Sequence, residues 1–544
     1  MAREHVDVLI VGAGLSGVGA ACHLRRHSPG KSVLILEGRD AIGGTWDIFR
    51  YPGIRSDSDM HTLGYSFRPW TANEAIVDGA AIRDYIRDTA REQGVDRLVR
   101  FGHRVLGAQW SSGEARWTVR AARRPVVPPT QAPSARYIPT PISTAPPTTN
   151  PAPTPSPNPA AEAASDPDDE ARPTEVVELT CSFLFVCTGY YRYDQGYTPD
   201  FPGIEDFAGP VVHPQAWPED LDYTDKRVVV IGSGATAVTL VPSMADAAAH
   251  VTMLQRSPTY VMALPARDTV GRRLRRVLPD RAALPLIRAK NVGLTMLAFH
   301  LSRGAPRLMK SVLRRGAIRQ LPEGYDVDTH FAPRYDPWDQ RMCFVPDGDL
   351  FAALRGGRAS IVTDTIAGFT ETGLRLDSGA ELPADIVVTA TGLNLLAIGG
   401  MTLTVDGTPI ELSETVAYKG MMLSGVPNFA LALGYTNASW TLKCDLVSRY
   451  VCRLLNHMDA HGYQVCMPQA PPADAPLEPL LDLKSGYVLR GTAMLPKQGP
   501  TAPWRLHQNY PRDVLLFKHG SLQDRGMRFG RAIARPHPAE PAAH

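Results

Sequence analysis

A glycine-rich turn near the start of the chain has the residue types and spacing that bind a pyrophosphate. Gly12, Gly14 and Gly17 form the pattern G-x-G-x-x-G between an apolar strand and an amphipathic helix. The first glycine allows the tight turn, the second lets the backbone approach a pyrophosphate, and the third allows close packing of helix on strand. Glu37 ends the next predicted strand, where a carboxylate accepts hydrogen bonds from a ribose diol. This unit therefore predicts a dinucleotide site.

A second glycine-rich turn repeats the pattern later in the chain, with Ala237 in the third position. Its second strand ends at Gln255 and is followed by Arg256 and Ser257, so no carboxylate stands where the first unit has Glu37. An arginine without that carboxylate favours a ribose 2′-phosphate and hence NADPH, although a plain surface arginine would give the same pattern. The residues predicted at this second site are Gly232, Ser233, Gly234, Ala235, Thr236, Ala237, Val238, Arg256 and Ser257.

Two dinucleotide turns in one chain predict a flavoprotein that is reduced by NADPH. The seven cysteines are widely spaced and form no C-x-x-C pair. Their spacing argues against a disulfide reductase and against a metal site, and it favours a reduced, intracellular protein. Acidic residues near the N-terminus, with no cleavage site after them, argue against a signal peptide. We therefore expect a cytoplasmic protein.

The composition is that of a soluble globular protein with three or four structural units. The chain has 544 residues, of which 44% are hydrophobic and 21% charged, and its formal net charge is +2. This charge argues against a nucleic-acid-binding protein that works through overall charge. Two uncharged runs, 386–405 and 420–442, are interrupted by Gly, Asn and Thr, which favours buried strands over membrane spans.

Two segments depart from the average composition. Residues 125–173 contain 15 prolines, which predicts a disordered or polyproline-II insert at the tip of a β-hairpin. Residues 267–319 contain 14 Lys and Arg but only two acidic residues, with apolar residues at helical spacing. This basic segment fits a helical subdomain with a solvated face, and it also fits an amphipathic surface in peripheral contact with anionic lipid.

Two further stretches carry a family resemblance. Residues 43–57, GGTWDIFRYPGIRSD, and 207–218, FAGPVVHPQAWP, resemble the two sequence signatures of the Baeyer–Villiger flavin monooxygenases (class B flavoprotein monooxygenases). The resemblance extends over roughly 5–120 and 179–535, and stretches such as GYTNASWTLK look most like the ethionamide-activating branch. The matching signature positions are Gly44, Trp46, Tyr51, Pro52, Gly53 and Asp57 in the first, and Phe207, Gly209, His213, Trp217 and Pro218 in the second.

The resemblance implies an NADPH- and O2-dependent FAD monooxygenase that converts ketones to esters or lactones via a C4a-peroxyflavin, with S-oxygenation of thioamides or sulfides as a side activity. It implies that Arg341 is the catalytic arginine and that Asp57 orients it. Gln340 departs from the family, since many relatives carry lysine there. It places Ser16, Thr45, Trp46, Asp47, Ile48 and Val105 at the FAD, Arg55 and Ser56 at the nicotinamide, and Asp57 among the contacts of both flavin and nicotinamide. Phe207, Gly209, His213 and Trp217 would lie in a linker that couples domain motion to catalysis.

We predict an α/β protein with two Rossmann-like dinucleotide-binding domains. The FAD domain would be split into 1–206 and 386–544, and the NADP domain would be 207–385, with a basic helical subdomain at 267–335. Two alternatives remain. One is an N- or S-oxygenating flavin-containing monooxygenase, and the other is a vestigial nucleotide-sensing or membrane-attached binding protein. The sequence leaves the substrate and the oligomeric state open.

Overall fold

A computed structural model describes residues 3–124, 175–481 and 483–532 of the chain. The proline-rich insert predicted at 125–173 lies outside these ranges.

Helices and strands alternate along most of the described chain. The α-helices are α1 (Leu15–His27), α2 (Thr45–Ile48), α3 (Met60–Leu63), α4 (Gly79–Glu92), α5 (Ala235–Met244), α6 (Thr269–Val277), α7 (Asp280–Gly304), α8 (Pro306–Ile318), α9 (Val327–Phe331), α10 (Asp349–Arg355), α11 (Trp440–His461), α12 (Gly486–Gly491) and α13 (Tyr510–Lys518). The strands up to the second glycine turn are β1 (Glu4–Val11), β2 (Val33–Leu36), β3 (Val99–Arg100), β4 (His103–Ser111), β5 (Arg116–Arg123), β6 (Glu175–Val186), β7 (Tyr191–Gly196), β8 (Val211–Val212) and β9 (Arg227–Ile231). Those that follow are β10 (His250–Gln255), β11 (Val261–Leu264), β12 (Cys343–Pro346), β13 (Ala359–Thr363), β14 (Ile366–Thr370), β15 (Gly373–Leu376), β16 (Glu381–Pro383), β17 (Ile386–Thr389), β18 (Leu393–Leu395), β19 (Thr402–Val405), β20 (Thr408–Pro409), β21 (Ala417–Tyr418), β22 (Met422–Leu423), β23 (Phe429–Leu431), β24 (Val465–Pro468), β25 (Glu478–Pro479), β26 (Lys497–Gln498) and β27 (Met527–Gly530).

The first unit is built on a mixed sheet in the order β20-β19-β4-β5-β6-β1-β2-β3, with β23 also pairing with β6. The apolar strand β1 lies in parallel between β2 and β6, which buries both of its faces. Helices α1 and α11 pack against each other beside this sheet. Strands from both ends of the chain therefore complete one sheet.

The second unit is a parallel sheet in the order β13-β10-β9-β17-β8. The strand Ile386–Thr389 pairs with Arg227–Ile231 inside this sheet. The boundary predicted at residue 386 is therefore one strand too early, because an apolar strand followed by Thr-Gly looks the same in either unit. The chain returns to the first unit after this strand. With this shift, the α/β class with two Rossmann-like units is confirmed.

The basic segment between the strands of the second unit is helical, as predicted. Helices α6 to α9 cover most of 267–335, and α7 packs against both α6 and α8. No helix in the described ranges is long and apolar enough to span a membrane. The two uncharged runs form short strands and turns, with α11 beginning at the end of the second run.

The predicted β-hairpin is formed by β5 and β6, which are antiparallel from Trp117↔Cys181 to Arg123↔Glu175. Arg123 and Glu175 flank the proline-rich insert and face each other across the ladder. The described residues on either side of the insert are therefore held next to each other in the sheet.

Candidate active site

One cavity of about 1690 Å³ lies between the two units. Small-molecule pockets usually measure roughly 300–1,000 Å³, so this cavity has room for more than one ligand. Most of the residues predicted from sequence line it: Gly12, Gly14, Ser16, Glu37, Thr45, Trp46, Ile48, Arg55, Ser56, Asp57, Val105, Gly232, Ser233, Gly234, Ala235, Thr236, Arg256, Ser257, Gln340 and Arg341. Both glycine turns thus open into the same space.

The first glycine turn has the conformation that its sequence requires. Gly12 has φ +100°, and a Cβ there would lie 2.8 Å from the carbonyl oxygen of Cys187. A Cβ on Gly17 would lie 1.9 Å from the oxygen of Gly12, so helix α1 approaches the turn too closely for any side chain. Gly14 is the N-cap of α1, whose first amides point out of the helix end as an anion site. Gly17 itself supports the turn and does not line the cavity.

Two predicted carboxylates have different surroundings. Glu37 accepts hydrogen bonds from the backbone N–H of Ala13 at 2.7 Å and of Arg39 at 3.0 Å, which ties the end of β2 to the glycine turn. Burial raises the pKa of Glu37, although these two backbone hydrogen bonds oppose the shift. Asp47 does not line the cavity. It is buried and pairs with Arg87 at 2.7 Å and with Arg39 at 3.0 Å, so it positions the segment rather than facing the ligand space.

The second glycine turn leaves open space where a phosphate could approach. Gly232 has φ +135°, and a Cβ there would lie 2.4 Å from the oxygen of Ala390, whereas a Cβ on Gly234 would meet nothing within 4 Å. Arg256 and Ser257 are exposed beside it, and Ser233 Oγ donates to the Ser257 carbonyl oxygen at 3.0 Å. Within the described ranges, the Arg256 side chain has no hydrogen-bond or ion-pair partner.

Three residues beside the second turn are buried and face the interior of the protein instead of the cavity. Gln255, which stands in place of an acidic residue, turns inward and donates to the carbonyl oxygen of His330 and to Thr363 Oγ1, both at 2.9 Å. Ala237 and Val238 are buried in α5 beneath the turn and do not line the cavity.

An ion pair joins the two units inside the cavity. Arg341 Nη1 donates to Asp57 Oδ2 at 3.0 Å, although the two residues are 284 positions apart. The Nε atoms of Arg341 and Trp338 are buried without a hydrogen-bond partner in the described chain. A second pair, Arg55 with Asp349, lies nearby. The cavity thus contains a fixed cation with unused donor capacity.

Aromatic side chains that the sequence did not single out surround this cation. Tyr190 stacks on Trp440 with ring centroids 5.2 Å apart, and its hydroxyl lies 3.2 Å from that of Tyr191. Tyr487 is a third tyrosine at the same place, at 6.3 Å from Tyr191. Burial raises the pKa of all three phenols, so they stay protonated. Tyr190 and Tyr191 directly follow the T-G end of β6, a position that could have marked them. Nothing in the sequence marked Tyr487.

The linker residues of the second signature lie outside the cavity. Phe207 is buried, and a Cβ on Gly209 would lie 2.3 Å from the Asp385 oxygen. His213 Nε2 donates to the carbonyl oxygen of Gly392 at 3.1 Å, and its Nδ1 accepts from the backbone of Gln215. Trp217 packs at the edge of the second unit's core. His213 thus ties the linker to a glycine that lines the cavity.

The residues present fit two dinucleotides. Two glycine turns in Rossmann context, open space at Gly234, a free Arg256 and unpartnered donors on Arg341 and Trp338 suit anionic and polar groups. In the described ranges, no cluster of three or more His, Cys, Asp or Glu side chains could hold a metal ion.

Comparison with known proteins shows the family of the chain. Residues 10–73 match the NAD(P)-binding Rossmann-like domain, and residues 175–275 match the flavin-binding monooxygenase-like family. The chain is 52% identical to the FAD-containing monooxygenase EthA of Mycobacterium tuberculosis strain H37Rv, over 98% of this chain and 99% of the relative. It is 49% identical to EthA of Mycolicibacterium smegmatis, over 97% of each chain.

The chain belongs to the EthA-type FAD-containing monooxygenases. This monooxygenase uses FAD, NADPH and O2, as the sequence predicted. Its fold is that of an oxidised steroid monooxygenase bound to NADP, with a TM-score of 0.69 and 20% identity over 97% of this chain and 100% of that one. An open structure of cyclohexanone monooxygenase gives a TM-score of 0.67 and 18% identity over the same shares.

Proposed function

We propose that this monooxygenase inserts one atom of O2 next to the carbonyl carbon of a small ketone, giving an ester or lactone, and that it also oxygenates the sulfur of thioamides or sulfides. The other oxygen atom leaves as water, and NADPH supplies the two electrons. The observation that carries the proposal is the Arg341–Asp57 pair inside a cavity that both glycine turns share.

The bound flavin, once reduced, supplies the activation of O2. The chain's own residues must then hold charge and exclude water. Arg341 places a permanent positive charge where negative charge develops on the oxygen being transferred, and Asp57 fixes its orientation. The aromatic wall of Tyr190, Tyr191 and Tyr487 limits access of water to that charge.

The site residues divide into two groups under this proposal. The FAD would lie along the first turn, Glu37 and the Thr45–Ile48 helix, with Val105 at its adenine end. NADPH would lie along the second turn, with its 2′-phosphate at Arg256 and Ser257 and its nicotinamide near Arg55 and Ser56. The placement is supported by the cavity, which all of these elements line.

Replacing the cation tests the reaction class. In Arg341→Ala we expect kcat for ketone oxidation to fall about 10²–10³-fold, the usual effect of losing one preorganised donor to a developing anion. Oxygenation of a thioamide should fall much less, because attack by soft sulfur requires no stabilised anion. The measurement is product formation by chromatography for a ketone and a thioamide, with release of H2O2 recorded in parallel.

The matched control is Arg227→Ala, which also removes an arginine paired with an aspartate, Asp385, but one that does not line the cavity. Both activities of this control should stay close to those of the wild type. If the wild type oxygenated the thioamide but formed no ester from any ketone, and Arg341→Ala left that oxygenation unchanged, heteroatom oxygenation by a flavin-containing monooxygenase would be the better assignment. If the wild-type chain bound NADPH without oxidising it, the vestigial binding protein would be favoured, and release of only H2O2 with every substrate would indicate an oxidase.

We propose that the enzyme works on small molecules in the cytoplasm. All seven cysteines are free and buried, which suits a reducing compartment.

A further inference from the structure

The outward face of α7 is apolar over most of its length. Leu286, Leu294, Leu297 and Leu301 are between 42% and 57% exposed. At 100° per residue, these leucines fall on one side of the helix, together with the exposed Ala289 and Gly293. No Lys, Arg, Asp or Glu occurs between residues 291 and 302. Surface helices normally present charged residues to water, so an uncharged, apolar face is unusual where the helix is exposed to solvent.

The two helices that pack against α7 add alternating apolar and basic residues. On α6, Val270, Arg273 and Val277 share one exposed face. On α8, the exposed Leu308 and Val312 lie on the same side as Arg315 and, just beyond the helix end, Arg319, by helical spacing. These exposed faces of three helices in contact with one another combine apolar and cationic groups and are here called the α6–α8 face.

Many arginines of the α6–α8 face are not neutralised. Some basic side chains of the segment form ion pairs, such as Lys290 with Asp268 and Arg314 with Asp328. Others are exposed and, among the residues that the structure describes, have no hydrogen-bond or ion-pair partner: Arg272, Arg273, Arg276, Arg307, Arg315 and Arg319. The surplus of basic over acidic residues in 267–319 exceeds the +2 of the whole chain, so the remaining chain is net acidic. The charge distribution therefore orients this face toward an anionic surface.

The large cavity reaches the same face. Val270 and Leu294 are both half-exposed and both line the cavity. Thr295 and Ala298, on the inner side of α7, line it as well.

We propose that the α6–α8 face binds the surface of an anionic lipid bilayer, with the cavity opening against it. Exposed leucines enter the boundary between headgroups and acyl chains, and the unpaired arginines contact lipid phosphates. An anionic bilayer accounts for both the apolar stripe and the cationic flanks. A second copy of the chain would have to place the same positive charges against one another.

Vesicle flotation with the full-length, FAD-loaded enzyme tests this proposal. We expect binding to phosphatidylcholine vesicles that contain phosphatidylglycerol, and little binding to phosphatidylcholine alone. High salt should weaken the binding, because the lipid phosphates act through screened charge. The double variant Leu297→Ser/Leu301→Ser should lower the partition coefficient by at least about tenfold, and Arg273→Gln/Arg315→Gln should reduce its salt dependence.

The matched control is Leu489→Ser/Leu515→Ser, which removes leucines of 61% and 65% exposure outside the α6–α8 face. This control should bind vesicles like the wild type. NADPH oxidation with a soluble ketone reports that each variant is folded. The proposal fails if anionic vesicles do not bind, if the control loses binding as much as the α7 variant, or if light scattering finds a dimer that only the α7 substitutions dissociate.

Discussion

Single residues of the two glycine turns carry the difference between the nucleotide sites. Glu37 is held by two backbone amides at the end of β2, whereas the equivalent Gln255 is turned inward and Arg256 faces the cavity. A carboxylate would repel a 2′-phosphate, and a free guanidinium can bind one bidentately. On the proposed placement of NADPH at the second turn, its preference over NADH would come from the replacement of the acidic residue by Gln255 and from the unpaired Arg256.

Removing the positive charge of Arg256 should change the preference for NADPH over NADH. In Arg256→Gln we expect KM for NADPH to rise about tenfold or more, because a charge-assisted hydrogen bond to phosphate contributes roughly 1.5–3 kcal/mol. KM for NADH should change little, since NADH has no 2′-phosphate. Steady-state kinetics with both cofactors provide the measurement.

The control for this substitution is Arg276→Gln, another exposed arginine, which lies outside the cavity. Equal effects of Arg256→Gln on NADPH and NADH would place the phosphate elsewhere.

At the scale of elements, the sequence predicts local strand–turn–helix patterns but not the contacts between residues that are far apart in the chain. The strand–turn–helix around Gly12 follows from local sequence, because the turn geometry demands glycine at that position. The Arg341–Asp57 pair came only from the family resemblance, since no local rule links positions 284 residues apart. Nothing in the sequence indicated the buried ion pair between Lys443 and Asp513, whose atoms lie 2.6 Å apart.

The linker element depends on a neutral histidine. His213 donates from Nε2 and accepts at Nδ1, and burial lowers its pKa from 6.5. As pH falls through 6.5, the unfolded chain binds a proton on this imidazole before the folded chain does. Stability should therefore fall with acidification, by up to about 1.4 kcal/mol per pH unit from this one group.

The variant His213→Gln keeps one donor and one acceptor but cannot be protonated. We expect its free energy of unfolding to depend less on pH between about 7 and 5 than that of the wild type. Urea unfolding at several pH values measures both slopes. Identical slopes would contradict the assignment of a neutral His213 to the folded state.

At the scale of the whole molecule, the proline-rich insert is attached at a place that leaves the sheet intact. Arg123 and Glu175 are paired across the β5–β6 ladder, far in sequence from both glycine turns. A hairpin can be closed at such a point by a three-residue loop that ends in glycine.

Replacing residues 125–174 with Asn-Gly should leave kcat and KM within about twofold of the wild type. Closing the shorter loop costs less conformational entropy, and the free-energy cost falls by roughly 2–3 kcal/mol for this change in length. Thermal stability should therefore rise. Activity assays and a thermal melt test both expectations. A large loss of activity in a folded variant would assign the insert a role in the reaction.

The split of the first unit also determines the order in which the protein can fold during synthesis. Strand β6 leaves the ribosome early, but its partner β23 and the helix α11 that packs on α1 follow more than 200 residues later. At ~5–20 residues per second, that delay is roughly 10 to 40 seconds. The second unit is nearly continuous in sequence and can fold first, while the apolar side chains of Phe183 and Phe185 remain exposed to solvent. Nascent chains stalled before residue 429 should therefore be aggregation-prone and dependent on chaperones.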